Sequence, residues 1–187
     1  MARLWSVAFI WGGGTMTFAL LSAILEPINW QRKIIGFDTF SGFKNLSDAD
    51  KRTSKSDHMK EDGLSIDAYE DLKRSIALFD QNRFLNHIPK VELVKGDVRE
   101  TIPSYLNENP HTVVSLLYMD FDVYEPTKIA LEYFLPRMPK GAIVAFDEVN
   151  APNWPGETKA VMEAMGINNI RLERFQFDTL ISYAILE

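Results

Sequence analysis

The sequence contains no cysteine, and its three histidines share no metal-ligand spacing. Disulfides, thiol nucleophiles and zinc sites with cysteine ligands are therefore excluded. It also lacks an excess of positive charge: 20 Lys and Arg stand against 26 Asp and Glu, for a formal net charge of −6. Because phosphate binding needs a basic surface, we expect no nucleic-acid partner. Hydrophobic residues make up 46% of the 187 positions, which is ordinary for one globular domain with a substantial core.

The chain has no uninterrupted apolar run of membrane-spanning length. Residues 1–25 carry one charge, Arg3, and superficially resemble a signal peptide, but Gly12, Gly13 and Gly14 interrupt the apolar residues. We favour a first strand at 5–11, a glycine turn, and a helix capped by Thr15. We accordingly expect no membrane partner and a cytoplasmic protein.

Apolar strand segments alternate with helical segments along most of the chain. Short apolar runs predict further strands at 33–37, 90–94, 113–119 and 142–146, with helices between them. Asp67 with Glu70 forms a capping pair for one helix, and Pro126 suits the first position of another. Segments 171–176 and 180–186 predict a terminal antiparallel hairpin. This order predicts one α/β domain over 1–187, a doubly wound and mostly parallel sheet with a C-terminal hairpin.

Residues 38–63 are polar and charged, and they are too long for an ordinary connection from a strand to a helix. Such an excursion is most often a solvated loop. The second interpretation is a lid that closes over a binding site.

Acidic residues follow two of the predicted buried strands. Asp120 directly follows the run 113–119, and Asp147 and Glu148 directly follow the run 142–146. In an open α/β sheet ligands bind beyond the carboxyl ends of the strands, so these carboxylates are expected to converge. Together they suit a hard cation such as Mg²⁺. The alternative is a solvated cluster paired with Lys or Arg.

Three segments of the sequence resemble the macrocin O-methyltransferase family: MDFDVYEPTKIALEYFLPRMPKGAIVAFDEVN, the following WPGETKAV, and GFDTFSGF at 36–43. The resemblance spans about residues 6 to 165. It implies a Rossmann-like sheet of the S-adenosylmethionine (SAM) methyltransferase type and transfer of a methyl group to a sugar hydroxyl. The acceptor would be a small molecule that contains a sugar. The resemblance also implies a divalent metal, usually Mg²⁺, held by Asp120, Asp147 and Glu148.

The sequence departs from the family pattern near its start. Ser6 stands where an acidic residue is expected and Ala8 where a glycine is expected. The chain also begins almost directly at the first strand, whereas family members carry extra N-terminal helices. We therefore expect either that these cover helices are missing from this sequence or that the cofactor pocket is altered. A homodimer is compatible with the missing cover.

Residues at the ends of the first three predicted strands are candidates for binding the cofactor. The backbone of Gly12, Gly13 and Gly14 would approach the methionine part of SAM, which the resemblance favours, or else these glycines form a plain turn between strand and helix. Asp38 would accept the ribose hydroxyls, or else form a turn.

After the third predicted strand, Asp97 would accept from the adenine amino group, or else cap the next helix. The amide of Val98 could serve the adenine ring equally well.

Asp122, two residues beyond Asp120, is the candidate general base. It would remove the proton of the acceptor hydroxyl, which the metal activates and orients beside Asp120, or else it would hold a metal-bound water. A structural cap before Pro126 is an equal alternative. The third residue after Asp120 is Val123, so a lysine base found in related enzymes is absent.

Three other functions compete with sugar O-methylation. A catechol-type O-methyltransferase would share the metal site, and acceptor choice depends on loops. A degenerate SAM fold acting as an interaction domain would account for Ser6 and Ala8. A nucleotide-dependent oxidoreductase is weaker, because no G-x-G-x-x-G opens the first helix. Binding of SAM separates the degenerate fold from the enzymes.

Overall fold

The computed structural model of the protein describes residues 6–9, 12–51 and 54–187. The strands are β1 (Ser6–Phe9), β2 (Lys33–Asp38), β3 (Val91–Lys95), β4 (Val114–Met119), β5 (Ile143–Phe146), β6 (Glu173–Arg174) and β7 (Ser182–Ile185). The helices are α1 (Gly12–Leu25), α2 (Asp48–Lys51), α3 (Tyr69–Gln81), α4 (Val98–Glu108), α5 (Tyr124–Phe134) and α6 (Pro155–Met165). Two short 3₁₀ turns follow α5 and α6, at Leu135–Arg137 and Ile167–Asn169.

The described strands form one seven-stranded sheet in the order β3-β2-β1-β4-β5-β7-β6. Strands β1 to β5 pair in parallel, whereas β7 runs antiparallel to both β5 and β6. This confirms the predicted doubly wound sheet with its terminal hairpin. The strand order reverses between β1 and β4, and a crevice opens at such a reversal beyond the carboxyl ends of the strands.

Both faces of the sheet are covered, so its central strands are buried on both sides. Ile34 packs in a cluster with Ala19 of α1 and Phe79 of α3. The alternate residues Ile35 and Phe37 belong to the larger core on the opposite face, which includes α4 and α5. Alternation of side chains along a strand thus explains why a continuous apolar run serves two helical layers.

The predicted glycine turn before the first helix is wrong. Gly12, Gly13 and Gly14 form the first turn of α1 itself, so Thr15 is the fourth residue of the helix and not its cap. Thr15 is buried, and a Cβ built on Gly36 would lie 3.2 Å from its Oγ1. The threonine is therefore a packing residue between α1 and β2.

Two other helix starts differ from the prediction. Ala68 precedes α3 and no side chain caps that helix, so the Asp67–Glu70 capping pair is wrong. Pro126 is the third residue of α5, which begins at Tyr124. A proline is tolerated there because amides in the first helical turn have no intrahelical partner to lose.

No helix in the described ranges has the length and apolar content needed to cross a membrane.

Candidate active site

A cavity of about 280 Å³ lies beyond the carboxyl ends of β2, β3 and β4. Four stretches of chain line it: residues from Asp38 to Lys44, residues from Gly63 to Leu72, the pair Asp97–Val98, and residues from Asp120 to Pro126. Its location is the crevice at which doubly wound folds bind ligands. The structure therefore brings five of the predicted site residues to one cavity: Asp38, Asp97, Val98, Asp120 and Asp122.

Asp38 is the last residue of β2 and one wall of the cavity. Its Oδ1 accepts a hydrogen bond of 2.8 Å from the amide of Phe40, which has a left-handed φ of 53°. The turn alternative is therefore observed. A carboxylate has further acceptor positions, so the ribose role stays a prediction.

Asp97 caps α4, which is one of the two roles predicted for it. Its side chain accepts from the amide of Arg99 at 3.0 Å and from Arg99 Nε at 2.8 Å. The bond to the Arg99 guanidinium holds the pKa of this carboxyl below its usual range. Both Asp97 and Val98 still line the cavity, and their adenine contacts stay a prediction.

Asp120, Asp122 and Glu148 are carboxylates with a shared electrostatic environment. Burial, followed by the charges of Asp147, Asp122 and Glu148, raises the pKa of Asp120 to about 8. Burial and the neighbouring carboxylates raise the pKa of Asp122 to about 7 and that of Glu148 to about 7. Each group thus ionises less readily than an ordinary carboxyl group unless positive charge is supplied.

No Lys or Arg within the described residues forms an ion pair with any of these carboxylates, so nothing there supports the salt-bridged alternative. Their chemistry, several oxygen donors with no basic partner, fits a hard divalent cation. The side chains as placed do not complete a ligand group: no three acidic or histidine residues of the described chain are arranged to hold a metal ion. The metal assignment of Asp120, Asp147 and Glu148 therefore stays a prediction.

Two hydrogen bonds fix the residues at the end of β5. The Tyr118 hydroxyl donates to Asp147 Oδ1 over 2.6 Å. The amide of Glu148 donates to Glu157 Oε1 over 2.8 Å. Glu157 is completely buried, its Oε2 has no partner among the described residues, and burial raises its pKa well above the usual value.

Asp122 adopts a left-handed φ of 63° and is buried. Val123 is the N-cap of α5 and makes no side-chain capping bond, and the Tyr124 amide donates to Asp50 rather than to Asp122. The cap alternative for Asp122 is therefore wrong, and its role as the base stays a prediction. Aspartate is one of the few residues with a side chain that enters the left-handed region at modest cost.

The predicted excursion packs against the site along part of its length. The Phe43 ring lies 5.7 Å from that of Trp154, and Ser54 Oγ donates to the carbonyl of Asn153 over 2.6 Å. The segment is thus a wall of the cavity, and His58 on it is exposed. The glycines of α1 were predicted to contact the cofactor, and that contact stays a prediction.

Sequence reasoning missed Tyr118, Glu157 and the buried Asp50. Glu157 lies within the family segment WPGETKAV, so that motif was a usable signal. Asp50 gives no such signal, because it lies in the charged stretch DADKRTSKSD.

A doubly wound sheet whose acidic strand ends open onto a single cavity defines a SAM-methyltransferase type of fold. The sequence profile of the family described as macrocin-O-methyltransferase (TylF) matches residues 7–183. The chain belongs to this family, and it is an O-methyltransferase by class.

Solved structures agree with this assignment. CalS11, a calicheamicin methyltransferase, superposes with a TM-score of 0.90 at 36% identity, covering 96% of this chain and 71% of CalS11. A second structure, apo CalS11, described as a TDP-rhamnose 3′-O-methyltransferase of calicheamicin biosynthesis, has a TM-score of 0.78 at 35% identity over the same shares of the two chains. The O-methyltransferase NovP shares the fold, with a TM-score of 0.69 at 21% identity over 97% of this chain and 71% of NovP. No match is found among curated protein sequences.

Proposed function

We propose that this protein uses SAM to methylate a hydroxyl group of a sugar or of a glycosylated small molecule. The observation that carries the proposal is the cavity itself, onto which Asp38, Asp97, Asp120 and Asp122 open together. Family membership and the similarity to CalS11 support a sugar acceptor over a catechol.

The cofactor would lie across the ends of β1 to β4. Asp38 would accept the ribose hydroxyls through oxygen positions not used by the Phe40 amide. Val98 is the first residue of α4, where amides have no intrahelical acceptor, so its N–H can donate to the adenine ring. Asp97 is already bonded to Arg99, and it would share its carboxylate with the adenine amino group. The glycines of α1 would let the methionine part approach the backbone.

Methyl transfer is a displacement at the carbon attached to the sulfonium. The acceptor oxygen forms a bond to the methyl carbon, the carbon–sulfur bond breaks, and its electron pair stays on sulfur as S-adenosylhomocysteine (SAH). The chain must hold the acceptor oxygen in line with that bond, which is a large part of the catalytic effect.

The proton of the acceptor hydroxyl would pass to Asp122. Burial raises the pKa of Asp122 above its usual value, and a carboxylate with a raised pKa is a stronger base. The carboxylate is buried at the cavity wall, so water competes poorly with the acceptor hydroxyl as its proton donor. The leftover proton is released to solvent after SAH departs.

A divalent cation, Mg²⁺ in our proposal, would be held by Asp120, Asp147 and Glu148. When bound it would supply positive charge that lowers the pKa of the acceptor hydroxyl. The same charge would remove the mutual repulsion that raises the pKa of Asp120 and Glu148.

The test is calorimetric titration of SAM and SAH into the protein, once with Mg²⁺ and once with EDTA. Asp38→Asn keeps an oxygen for the Phe40 amide but loses a charged acceptor, so it should weaken SAH binding about tenfold. Asp71→Asn, an exposed aspartate on α3, is the matched control and should bind like the wild type. Absence of SAH binding under both conditions would overturn the proposal.

A further inference from the structure

Residues 39–68, which we call the β2–α3 segment, contain one aspartate that is almost completely buried. Asp50 is 1% exposed, on the short helix α2. Its Oδ2 accepts from the amide of Ser47 at 2.9 Å and from Ser47 Oγ at 2.6 Å. Its Oδ1 accepts from the amide of Tyr124 at 2.7 Å, across 74 positions of the chain. One carboxylate thus joins the β2–α3 segment to the start of α5.

The packing around Asp50 is so close that it requires a glycine at position 156. A Cβ built on Gly156 would overlap Asp50 Oδ1 and would lie 2.6 Å from the Tyr124 amide nitrogen. Gly156 is the second residue of α6. Only a glycine lets the N-terminus of α6 approach this carboxylate, so α2, α5 and α6 meet at one point.

Two of these helices, α5 and α6, begin directly after the two loops that carry the site carboxylates. Tyr124 follows the β4–α5 loop, residues 120–123, with Asp120 and Asp122. Gly156 precedes Glu157, whose Oε1 holds the amide of Glu148 in the β5–α6 loop, residues 147–154. The left-handed backbone at Asp122 is a conformation that persists only where surrounding contacts hold it.

Asp50 forms no ion pair among the described residues. Its charge is instead met by three hydrogen bonds and by the amino ends of α5 and α6, where the helix dipoles favour a negative group. Buried charge of this kind is costly unless it is fully satisfied. The contacts therefore hold all three helices in one relative position.

We propose that Asp50 is a positioning residue for methyl transfer: it locks the β2–α3 segment onto the start of α5, directly after the β4–α5 loop. One face of that segment lines the cavity through Phe40, Phe43 and Lys44. The cavity wall that these residues form and the β4–α5 loop with Asp122 are thereby held in a fixed relative position. This inference rests on the proposed function, because that function makes the cavity a cofactor site.

The test compares Asp50→Ala, Asp50→Asn and the control Asp48→Ala by two readouts. Asp48 is an exposed aspartate on the same helix α2. The first readout is hydrogen exchange of the amides in 123–127, which reports the lock itself. The second is SAH affinity by calorimetry, at a temperature where far-UV circular dichroism shows each variant folded.

Asp50→Ala should speed exchange of the Tyr124 amide about tenfold or more, because that amide loses its acceptor. It should also weaken SAH binding about tenfold, because the wall is no longer held. Asp50→Asn retains one oxygen for Tyr124 and should lie between the wild type and Asp50→Ala in both readouts. Asp48→Ala should match the wild type.

If the Tyr124 amide exchanges at the same rate in Asp50→Ala as in the wild type, Asp50 does not hold the β2–α3 segment to α5. Faster exchange with unchanged SAH affinity overturns the positioning role and leaves Asp50 as a stability residue. If Asp50→Ala does not fold, Asp50→Asn decides in the same way. If the wild type itself binds no SAH, the proposed function fails and the positioning role fails with it, whereas the exchange readout still decides whether the lock exists.

Discussion

Glu157 accepts a hydrogen bond from the amide of Glu148 over 2.8 Å while it is itself completely buried. Burial raises the pKa of Glu157 well above its usual value of 4.5, so the folded protein holds the proton of this carboxyl to a higher pH than the unfolded chain does. The residue also ties the metal-ligand candidate Glu148 to the first turn of α6.

The first prediction concerns Glu157→Gln. The unfolded chain releases the Glu157 proton near its usual pKa of 4.5, and the folded chain retains it. The folded state then binds more protons, so this group makes wild-type stability fall as pH rises above that value. Glutamine cannot ionise, and its oxygen can still accept from the Glu148 amide. The variant should therefore become more stable relative to the wild type as pH rises.

Urea unfolding with EDTA at about pH 5 and about pH 8 measures this difference. Glu132→Gln on the exposed face of α5 is the control and should show no such trend. An unchanged difference in stability between Glu157→Gln and the wild type at these two pH values would mean that Glu157 is already ionised in the folded protein.

The second prediction concerns Gly156→Ala. At an ordinary helical position this change stabilises by roughly 0.5–1 kcal/mol. Here the new methyl group would overlap Asp50 Oδ1, so we expect a loss of about 2 kcal/mol in the free energy of unfolding.

Asp50→Ala supplies the matching background, because it removes the overlapping oxygen. The cost of Gly156→Ala should be smaller in that background, which a double-mutant cycle from chemical denaturation measures. Equal costs with and without Asp50 would show that the two residues do not interact.

The strands of this fold follow from the sequence because each buried strand needs an unbroken apolar run. The run 113–119 predicts β4, observed at Val114–Met119, and the run 142–146 predicts β5, observed at Ile143–Phe146. Since parallel strands present their carboxyl ends at one edge, the electrostatic effect of Asp147 and Glu148 on Asp120 could be anticipated too.

Contacts between distant parts of the chain could not be anticipated. Asp50 lies in a stretch whose composition is typical of a solvated loop, and its burial depends on Tyr124, 74 positions away. The capping error at Asp67 has a similar cause: α3 starts at Tyr69, whose ring packs on Phe40 at 5.0 Å. Local patterns predict which residues favour an element, and tertiary contacts decide where it begins.

The third prediction concerns Tyr118→Phe. The Tyr118 hydroxyl orients Asp147 through its bond of 2.6 Å, and groups that orient a metal ligand typically affect metal affinity. Under the proposed metal assignment, the variant should bind Mg²⁺ about tenfold more weakly in the presence of SAH. Tyr183→Phe removes a comparable hydroxyl, which donates to Glu173 in the terminal hairpin, and should leave Mg²⁺ affinity unchanged. Equal affinities in both variants would contradict the assignment of Asp147.

The fourth prediction concerns Lys90, which is buried and donates to the carbonyl of Asn29 over 2.7 Å. Burial and the nearby Arg32 lower its pKa to about 8 from the usual 10.5. Between these two values the unfolded chain binds more protons, so this group makes stability rise with pH there. Lys90→Met should lessen that rise in chemical denaturation, and exposed Lys140→Met should leave it intact. A rise of the same size in Lys90→Met would place the cause in another residue.

The most direct measurement is methyl transfer itself, followed by mass spectrometry with SAM, Mg²⁺ and a panel of nucleotide sugars, glycosides and catechols. The account predicts that a sugar-containing acceptor gains one methyl group with equimolar formation of SAH, and that Asp122→Asn lowers the rate by about a hundredfold or more. Transfer to catechols alone would contradict the proposed acceptor class. Full activity of Asp122→Asn would contradict the role of that carboxylate as the base.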